Sequence, residues 1–393
     1  MKSTDFLSPT QAPRLNKRPM LEDKLEFEQQ SLLETSIAGS ITLGQIVEKV
    51  ADNYDFSGLK PTYLHHLPLG LEAEKYTFWI GEKPYLLKMR VYDQSEIKRA
   101  EYIIQSTHVV ERKLEDAGVP IVKTAPTKNW NSKINDYDRF ITLRTETAAS
   151  SPLLIAVSIS PVFVGRYLEN PDVVDVQEIT RFMAKFHQTE GYGIVPAEDS
   201  WSLLRLTEAY ENDSSNENLR QTLKTITPVV NEFRVLKYQF DMPEYLYHSF
   251  TGRTLGKRQG VFPKAFAHGD LHPGNILKGA TGEYRILDLG CMDYQPRVVD
   301  LAIFLAQTCA NFGDTEKTRE LFQASIKTYE ENNGLTDHEK SVLPLLIRAN
   351  YAMFALRSAE LLQENPDDQE IRDWHERSIK GLEFMQILEW NHS

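Results

Sequence analysis

The chain has 393 residues, 41% hydrophobic and 25% charged, which is close to the average of soluble globular proteins and excludes global disorder. Forty-four Lys and Arg against 56 Asp and Glu leave a net charge of -12, which argues against a nucleic-acid partner. Two cysteines, Cys291 and Cys309, make no disulfide framework, and no apolar run has the length of a membrane span. The first twenty residues lack the apolar stretch of a signal peptide, so the expectation is a cytoplasmic protein with no membrane partner.

In chain order, residues 1–40 are polar, carry prolines at 9, 13 and 19, and read as a loose tail. Thr42 with Gln45 forms a capping box ahead of Ile46, Val47, Val50 and Ala51, the apolar face of a first helix. Tyr76, Phe78 and Ile80 alternate, and Tyr85, Leu86 and Leu87 follow a Gly81-Glu82-Lys83-Pro84 turn, which predicts a β-hairpin. A long helix is expected over 95–117, closed by Gly118 and stopped by Pro120. Apolar runs at 140–143 and 153–167 read as strand or hinge, with a helix left open for 153–160.

From there the pattern turns helical. Asp175 and Glu178 open a helix with Val176, Ile179, Met183 and Phe186 on one face, and 200–250 reads as helix interrupted by a polar loop. After a distinct segment at 264–300 come further helices, one opened by the capping box of Thr336 and Glu339. The expected class is α+β in two unequal lobes, 41–168 and 169–393.

The segment that carries chemistry is Ala267-His268-Gly269-Asp270-Leu271-His272-Pro273-Gly274-Asn275-Ile276-Leu277, followed thirteen residues after the Asn by Asp288. Phosphoryl transfer to an alcohol needs an acceptor for the hydroxyl proton and oxygen ligands that hold Mg²⁺ against nucleotide phosphates. Asp270 suits the first role, and Asn275 with Asp288 suits the second. Pro273-Gly274 supplies the turn that lets Asp270 and Asn275 converge. A hairpin through Gly279-Ala280-Thr281-Gly282 would return Asp288 to Asn275. A chance His-Gly-Asp-x-x-x-x-Asn is expected in on the order of one in a thousand chains of this length, so the match is specific.

The spacing is that of the protein-kinase catalytic loop, with Gly269 where protein kinases have Arg. The wording of the loop, Asp300-Leu301-Ala302 twelve residues after Asp288, and the helix end Ala184-Lys185-Phe186-His187 resemble the aminoglycoside phosphotransferase and choline kinase family. The resemblance spans roughly residues 45 to 390, and the stretch from Tyr329 to Glu339 looks most like the homoserine kinase type II and hydroxylysine kinase branch. It implies a bilobal protein-kinase-like fold with a small antiparallel-sheet lobe carrying one long helix, and a larger, mainly helical lobe. It also implies ATP and Mg²⁺ as cofactors and a small molecule with a hydroxyl group, an amino-alcohol or an aminoglycoside, as acceptor.

By the same resemblance Lys88 on the third strand reaches the nucleotide phosphates, with Arg90 as fallback and Glu101 or Glu111 as the helix carboxylate that fixes it. Gly70 and Lys75 fall in the loop expected to cover the phosphates, where Glu72 and Glu74 depart from the family pattern. The adenine would lie against a hinge, for which Leu143 to Glu146 and Gly165 to Glu169 compete. His268 and Asp300 read as supports of the loop, His187 as core, and Asp293, Tyr294 and Arg297 as a loop near the acceptor. The departure at 70–75 keeps open a catalytically weak kinase-like scaffold; a protein acceptor or nucleotidyl transfer would keep the fold and change the chemistry.

Overall fold

The computed structural model describes residues 33–38, 41–67, 73–131, 136–144, 153–189, 200–240 and 262–388. The chain forms two compact units and passes from the first to the second between Arg166 and Tyr167; Arg112–Ile121 belong with the second and Gly279–Glu283 with the first. No helix among the described residues is long and apolar enough to cross a membrane.

The first unit is built on a five-stranded antiparallel sheet. Helix α1, Leu43–Asn53, opens on the capping box expected from Thr42 and Gln45, and turns Leu43, Ile46 and Val50 inward. Strands β1 (Pro61–Leu67), β2 (Glu74–Ile80) and β3 (Lys83–Tyr92) meander; helix α2, Ile97–Asp116, follows, and then β4 (Phe140–Arg144) and β5 (Leu154–Pro161). The sheet order is β1-β2-β3-β5-β4. The β2–β3 turn is shorter than its sequence suggests, because Ile80 pairs with Lys83 and Gly81 takes φ +59°.

The run at 153–160, whose sequence suits helix or strand, is strand β5. Its Leu154, Ile155, Ala156 and Val157 are buried in succession, as expected of a strand flanked on both edges, here by β3 and β4. Phe78, Leu87, Met89, Ile155, Val157 and Ile159 pack with Leu43, Ile46 and Val50 of α1 as the core of this unit. Gly118, at φ +72°, ends the α2 segment as its sequence requires.

The second unit is mainly helical. It holds α3 (Val173–Gln188), α4 (Leu206–Asp213), α5 (Arg220–Phe240) and two strand pairs, β6 (Lys264–Ala267) with β9 (Asp293–Pro296), and β7 (Ile276–Gly279) with β8 (Tyr284–Ile286). Then come α6 (Arg297–Phe304), α7 (Thr315–Asn333), α8 (Asp337–Glu364) and α9 (Gln369–Ile387). Helix α8 packs on α5, α6 and α9, and α3 packs on α7. The crossing of α8 and α9 is tight enough that a Cβ at Gly381 would sit 2.6 Å from the Tyr351 ring.

Arg297, expected near the acceptor, is instead a buried structural residue. Its Nε and Nη2 donate to the two oxygens of Glu339 at 2.8 and 2.9 Å, and its remaining N–H groups cap Asn333 O and Gly334 O at 2.9 and 2.6 Å. Glu339 at the same time closes the capping box of α8 by accepting from Thr336 N at 2.9 Å. Removing one member strands a buried charge, so Glu339→Ala is expected to lower stability by about 3–5 kcal/mol. The Arg297→Met/Glu339→Leu double variant should recover most of that loss, read as urea-denaturation midpoints.

Candidate active site

The chemistry-bearing loop lies wholly within the second unit, between β6 and β7. Ala267, the last residue of β6, pairs with Asp293 of β9, so the stretch from His268 to Met292 leaves and re-enters one small ladder. Gly269 has φ +81°, and a Cβ there would lie 2.3 Å from the Cys291 carbonyl oxygen. No side chain fits, which is why glycine stands immediately before Asp270.

Past the loop, Pro273–Asn275 makes one 3₁₀ turn and Ile276 starts β7. The β7–β8 hairpin pairs Ile276 with Ile286, and Leu287 N donates to Asn275 O at 2.9 Å. That bond brings the chain bearing Asp288 alongside Asn275, as the spacing predicts. Ile286 N also donates to Pro120 O at 2.8 Å, fixing the outgoing strand from its other side. Asp288 sits in the left-handed region at φ 48°, ψ 79°, a costly conformation for a non-glycine residue that concentrates at functional sites. Its Oδ1 accepts from Gly290 N at 3.2 Å.

Asn275 is 8% exposed and commits its amide nitrogen to Asp270, donating to the main-chain oxygen at 2.8 Å and to Oδ2 at 2.9 Å. This pairing fixes the amide orientation and leaves Oδ1, the atom a hard cation would use, directed elsewhere. His272 places Nε2 3.6 Å from Asp270 Oδ2, while its Nδ1 accepts from Gly274 N at 3.1 Å. Burial alone would lower the affinity of His272 for its proton; the carboxylates of Asp270 and Asp288 outweigh it and raise the net value.

An amide oxygen with a carboxylate is a hard-oxygen donor set that fits Mg²⁺ or Ca²⁺ and does not fit a soft metal. Among the described residues no group of three His, Cys, Asp or Glu side chains could hold a metal ion. A cation at Asn275 and Asp288 would therefore complete its shell with water and phosphate oxygens, as Mg²⁺ sites do.

Asp300 on α6 holds the loop from beneath. It is 0% exposed; Oδ2 accepts from His268 N at 3.0 Å and from His187 Nε2 at 3.0 Å, and Oδ1 accepts from Gly269 N at 2.9 Å. Burial pushes its carboxyl up, but the His187 hydrogen bond and the loop contacts more than compensate and hold it below the ordinary range. His268 supports the loop as expected: Nε2 donates to Leu287 O at 2.9 Å and Nδ1 accepts from Asp270 N at 3.3 Å, which fixes a single tautomer.

The sequence marks Asp175 only as a helix opener. In the structure its Oδ2 accepts from Asp172 N at 3.1 Å in the α3 capping box, while Oδ1 accepts from Lys278 Nζ at 2.5 Å and Tyr284 Oη at 2.6 Å. It thereby fastens the hairpin that links Asn275 and Asp288 to α3. The only sequence signal is an aspartate at the third helical position.

In the first unit, Lys88 on β3 stands directly opposite Lys75 on β2 and opposite Ser158 on β5. Residues paired across a ladder share a face of the sheet, so Lys75 and Lys88 lie on the same face. Arg90 is on the same face as Lys88. Glu101 pairs with Arg144; Glu111, 5% exposed, accepts from Thr124 Oγ1 at 2.6 Å and lies 3.5 Å from Arg139 Nη1. Leu143 pairs with Ile155 and packs against the core of the unit. Of the two hinge segments, Gly165 to Glu169 contains the passage between units. Gly70, Glu72 and Glu146 lie outside the described residues.

The family model described as the phosphotransferase enzyme family matches residues 105–338, more than half of the chain. The chain belongs to this family. Its fold is that of the amicoumacin kinase hAmiN in complex with AMP-PNP, Ca²⁺ and Ami, at TM-score 0.60 and 15% identity over 88% of this chain and 93% of that one. Spectinomycin phosphotransferase in complex with ADP and spectinomycin aligns at TM-score 0.56 and 15% identity over 89% and 99%. The choline kinase LicA from Streptococcus pneumoniae aligns at TM-score 0.52 and 14% identity over 87% and 98%. At these identities the likeness speaks for the α+β fold, with its small antiparallel-sheet part and larger helical part. No curated protein matches the chain.

A carboxyl held below its ordinary range stabilises the fold above the unfolded value, about pH 4, and loses that contribution as pH falls through its own pKa. The destabilisation caused by Asp300→Asn is therefore expected to be full at pH 6–7 and to shrink below about pH 4, measured as paired urea midpoints across pH.

Proposed function

We propose that the chain is an ATP-dependent small-molecule kinase that moves the γ-phosphoryl group to a substrate hydroxyl. The observation that carries this reading is the double hydrogen bond from Asn275 to Asp270, which aims one carboxylate and leaves one amide oxygen available for a cation.

Asp270, one-third exposed at the loop surface, accepts a hydrogen bond from the acceptor hydroxyl and takes its proton as the oxygen attacks. The new bond joins the acceptor oxygen to the γ-phosphorus, the bond from that phosphorus to the bridging oxygen breaks, and ADP departs with the electron pair. Mg²⁺ at Asn275 and Asp288, when bound, neutralises developing charge on the phosphate oxygens. His272 keeps its Nε2 toward Asp270 Oδ2 and steadies the carboxylate beside the reacting oxygen. Lys88 and Lys75 are the cations we assign to nucleotide phosphates, since their cross-strand register sets two positive charges side by side. Pre-organisation of these groups supplies the rate, because phosphoryl transfer asks little covalent work of the protein.

The acceptor we infer is an amino-alcohol or aminoglycoside acting in the cytoplasm. The resemblance of the Tyr329–Glu339 stretch to homoserine and hydroxylysine kinases supports it, and the net charge of -12 is compatible with a cationic substrate.

Calorimetric titration with ATP, with and without magnesium, separates the roles. Asn275→Ala and Asp288→Ala should each weaken magnesium-dependent binding by at least about tenfold, the loss that even outer-shell partners of a metal cause. Asp270→Ala, which keeps the main-chain oxygen that receives Asn275 Nδ2, should weaken it much less. Absence of magnesium-dependent nucleotide binding in the parent chain would turn the reading into that of a kinase-like scaffold.

A further inference from the structure

Behind Asp300 lies a buried chain of hydrogen bonds whose proton positions are fixed from both ends. Tyr329 on α7 is 0% exposed, and its hydroxyl oxygen lies 3.1 Å from Asn333 Nδ2 and 2.6 Å from His187 Nδ1. Asn333 Nδ2 can only donate, so the hydroxyl oxygen accepts there and its own proton is directed to His187 Nδ1. His187 then carries its proton on Nε2, 3.0 Å from Asp300 Oδ2, an oxygen that can only accept while ionised. An imidazole bearing both protons would leave the Tyr329 hydroxyl proton without an acceptor. Arg297 holds the tyrosine in place, with its guanidinium 5.8 Å from the ring centroid and a hydrogen bond to Asn333 O at 2.9 Å. The oxygen of Asp300 that receives His187 also receives His268 N, two residues before Asp270.

We propose that Tyr329 is a positioning residue for the catalytic loop: Asp300 fixes the proton on His187 Nε2, and the Tyr329 hydroxyl holds the other ring nitrogen, so that the imidazole stays in the plane that keeps Asp300 under His268 and Gly269. The inference builds on Asp270 as the proton-accepting group of the proposed reaction. Without the hydroxyl, Nδ1 loses its donor and the ring is held by its Nε2 bond to Asp300 alone, free to tilt about it. The Asp300 oxygen that anchors His268 N then loses a fixed donor direction.

Nitrogen NMR of histidine-labelled protein reads the tautomer of His187 directly, and amide hydrogen exchange reads the loop. The intact chain should carry the His187 proton on Nε2. Tyr329→Phe should keep the proton on Nε2, lose the hydrogen-bond shift of Nδ1 seen in the intact chain, and exchange at His268 and Gly269 about tenfold faster, the order expected for one lost buried hydrogen bond. Tyr351→Phe is the matched control: it removes a buried hydroxyl bonded to Ala306 O at 2.6 Å and should leave both readouts unchanged. In a His187→Gln background, whose amide donates without tautomers, Tyr329→Phe should change loop exchange much less. A His187 proton on Nδ1 in the intact chain overturns the proposal. So does loop exchange that is insensitive to Tyr329→Phe, or equally sensitive to Tyr351→Phe. None of these readouts needs ADP release, so a failure of the phosphotransfer reading is told apart from a failure of this one.

Discussion

Asp300 lies at 0% exposure with no solvent to satisfy it, so each oxygen of its carboxylate must find a donor inside the protein, and the site is organised around that need. The donors are two successive backbone amides of the loop and an imidazole from α3. The consequence runs from electrostatics to backbone. The two amide bonds to the carboxylate persist only while the loop keeps the curvature that points both amides toward Asp300. That curvature needs φ +81° at Gly269, the residue immediately before Asp270.

The same requirement governs the strands that follow. Asp288 holds a left-handed backbone that only over-determined surroundings sustain. Those surroundings are main-chain bonds from Leu287 to Asn275 and from Ile286 to Pro120, with Asp175 fastening the hairpin through Lys278 and Tyr284. The groups assigned to the chemistry are thus held by main-chain geometry, and the side chains that support them are buried acids with complete sets of donors. Catalysis by positioning requires this arrangement, since an acceptor displaced by about an ångström loses much of its advantage.

Features set by neighbours in the chain are legible in the sequence. The capping boxes at Thr42 and Thr336, the Gly118 stop, and the hairpin that returns Asp288 to Asn275 all follow from local spacing. The illegible part is long-range: Asp300 meets His187 across 113 residues and Asp175 meets Tyr284 across 109, with no periodicity to announce either. Arg297 shows the opposite failure. A basic residue shortly after an aspartate expected to bind metal reads as functional, but the identity of its buried partner Glu339 is decided by how α6 and α8 pack. Strand β5 is ambiguous as sequence because four buried residues in a row satisfy a helix or a central strand equally, and only the sheet order resolves it.

The central claim is phosphoryl transfer to a small-molecule hydroxyl with Asp270 as proton acceptor. Its most direct measurement is magnesium-dependent ADP release by the purified chain across amino-alcohols, aminoglycosides and sugars, with Asp270→Asn beside it. The account predicts that at least one acceptor raises ADP release well above the no-acceptor rate, and that Asp270→Asn lowers the stimulated rate by roughly 10²–10⁴-fold. ADP release that no acceptor stimulates, or stimulation that survives in Asp270→Asn, would contradict it.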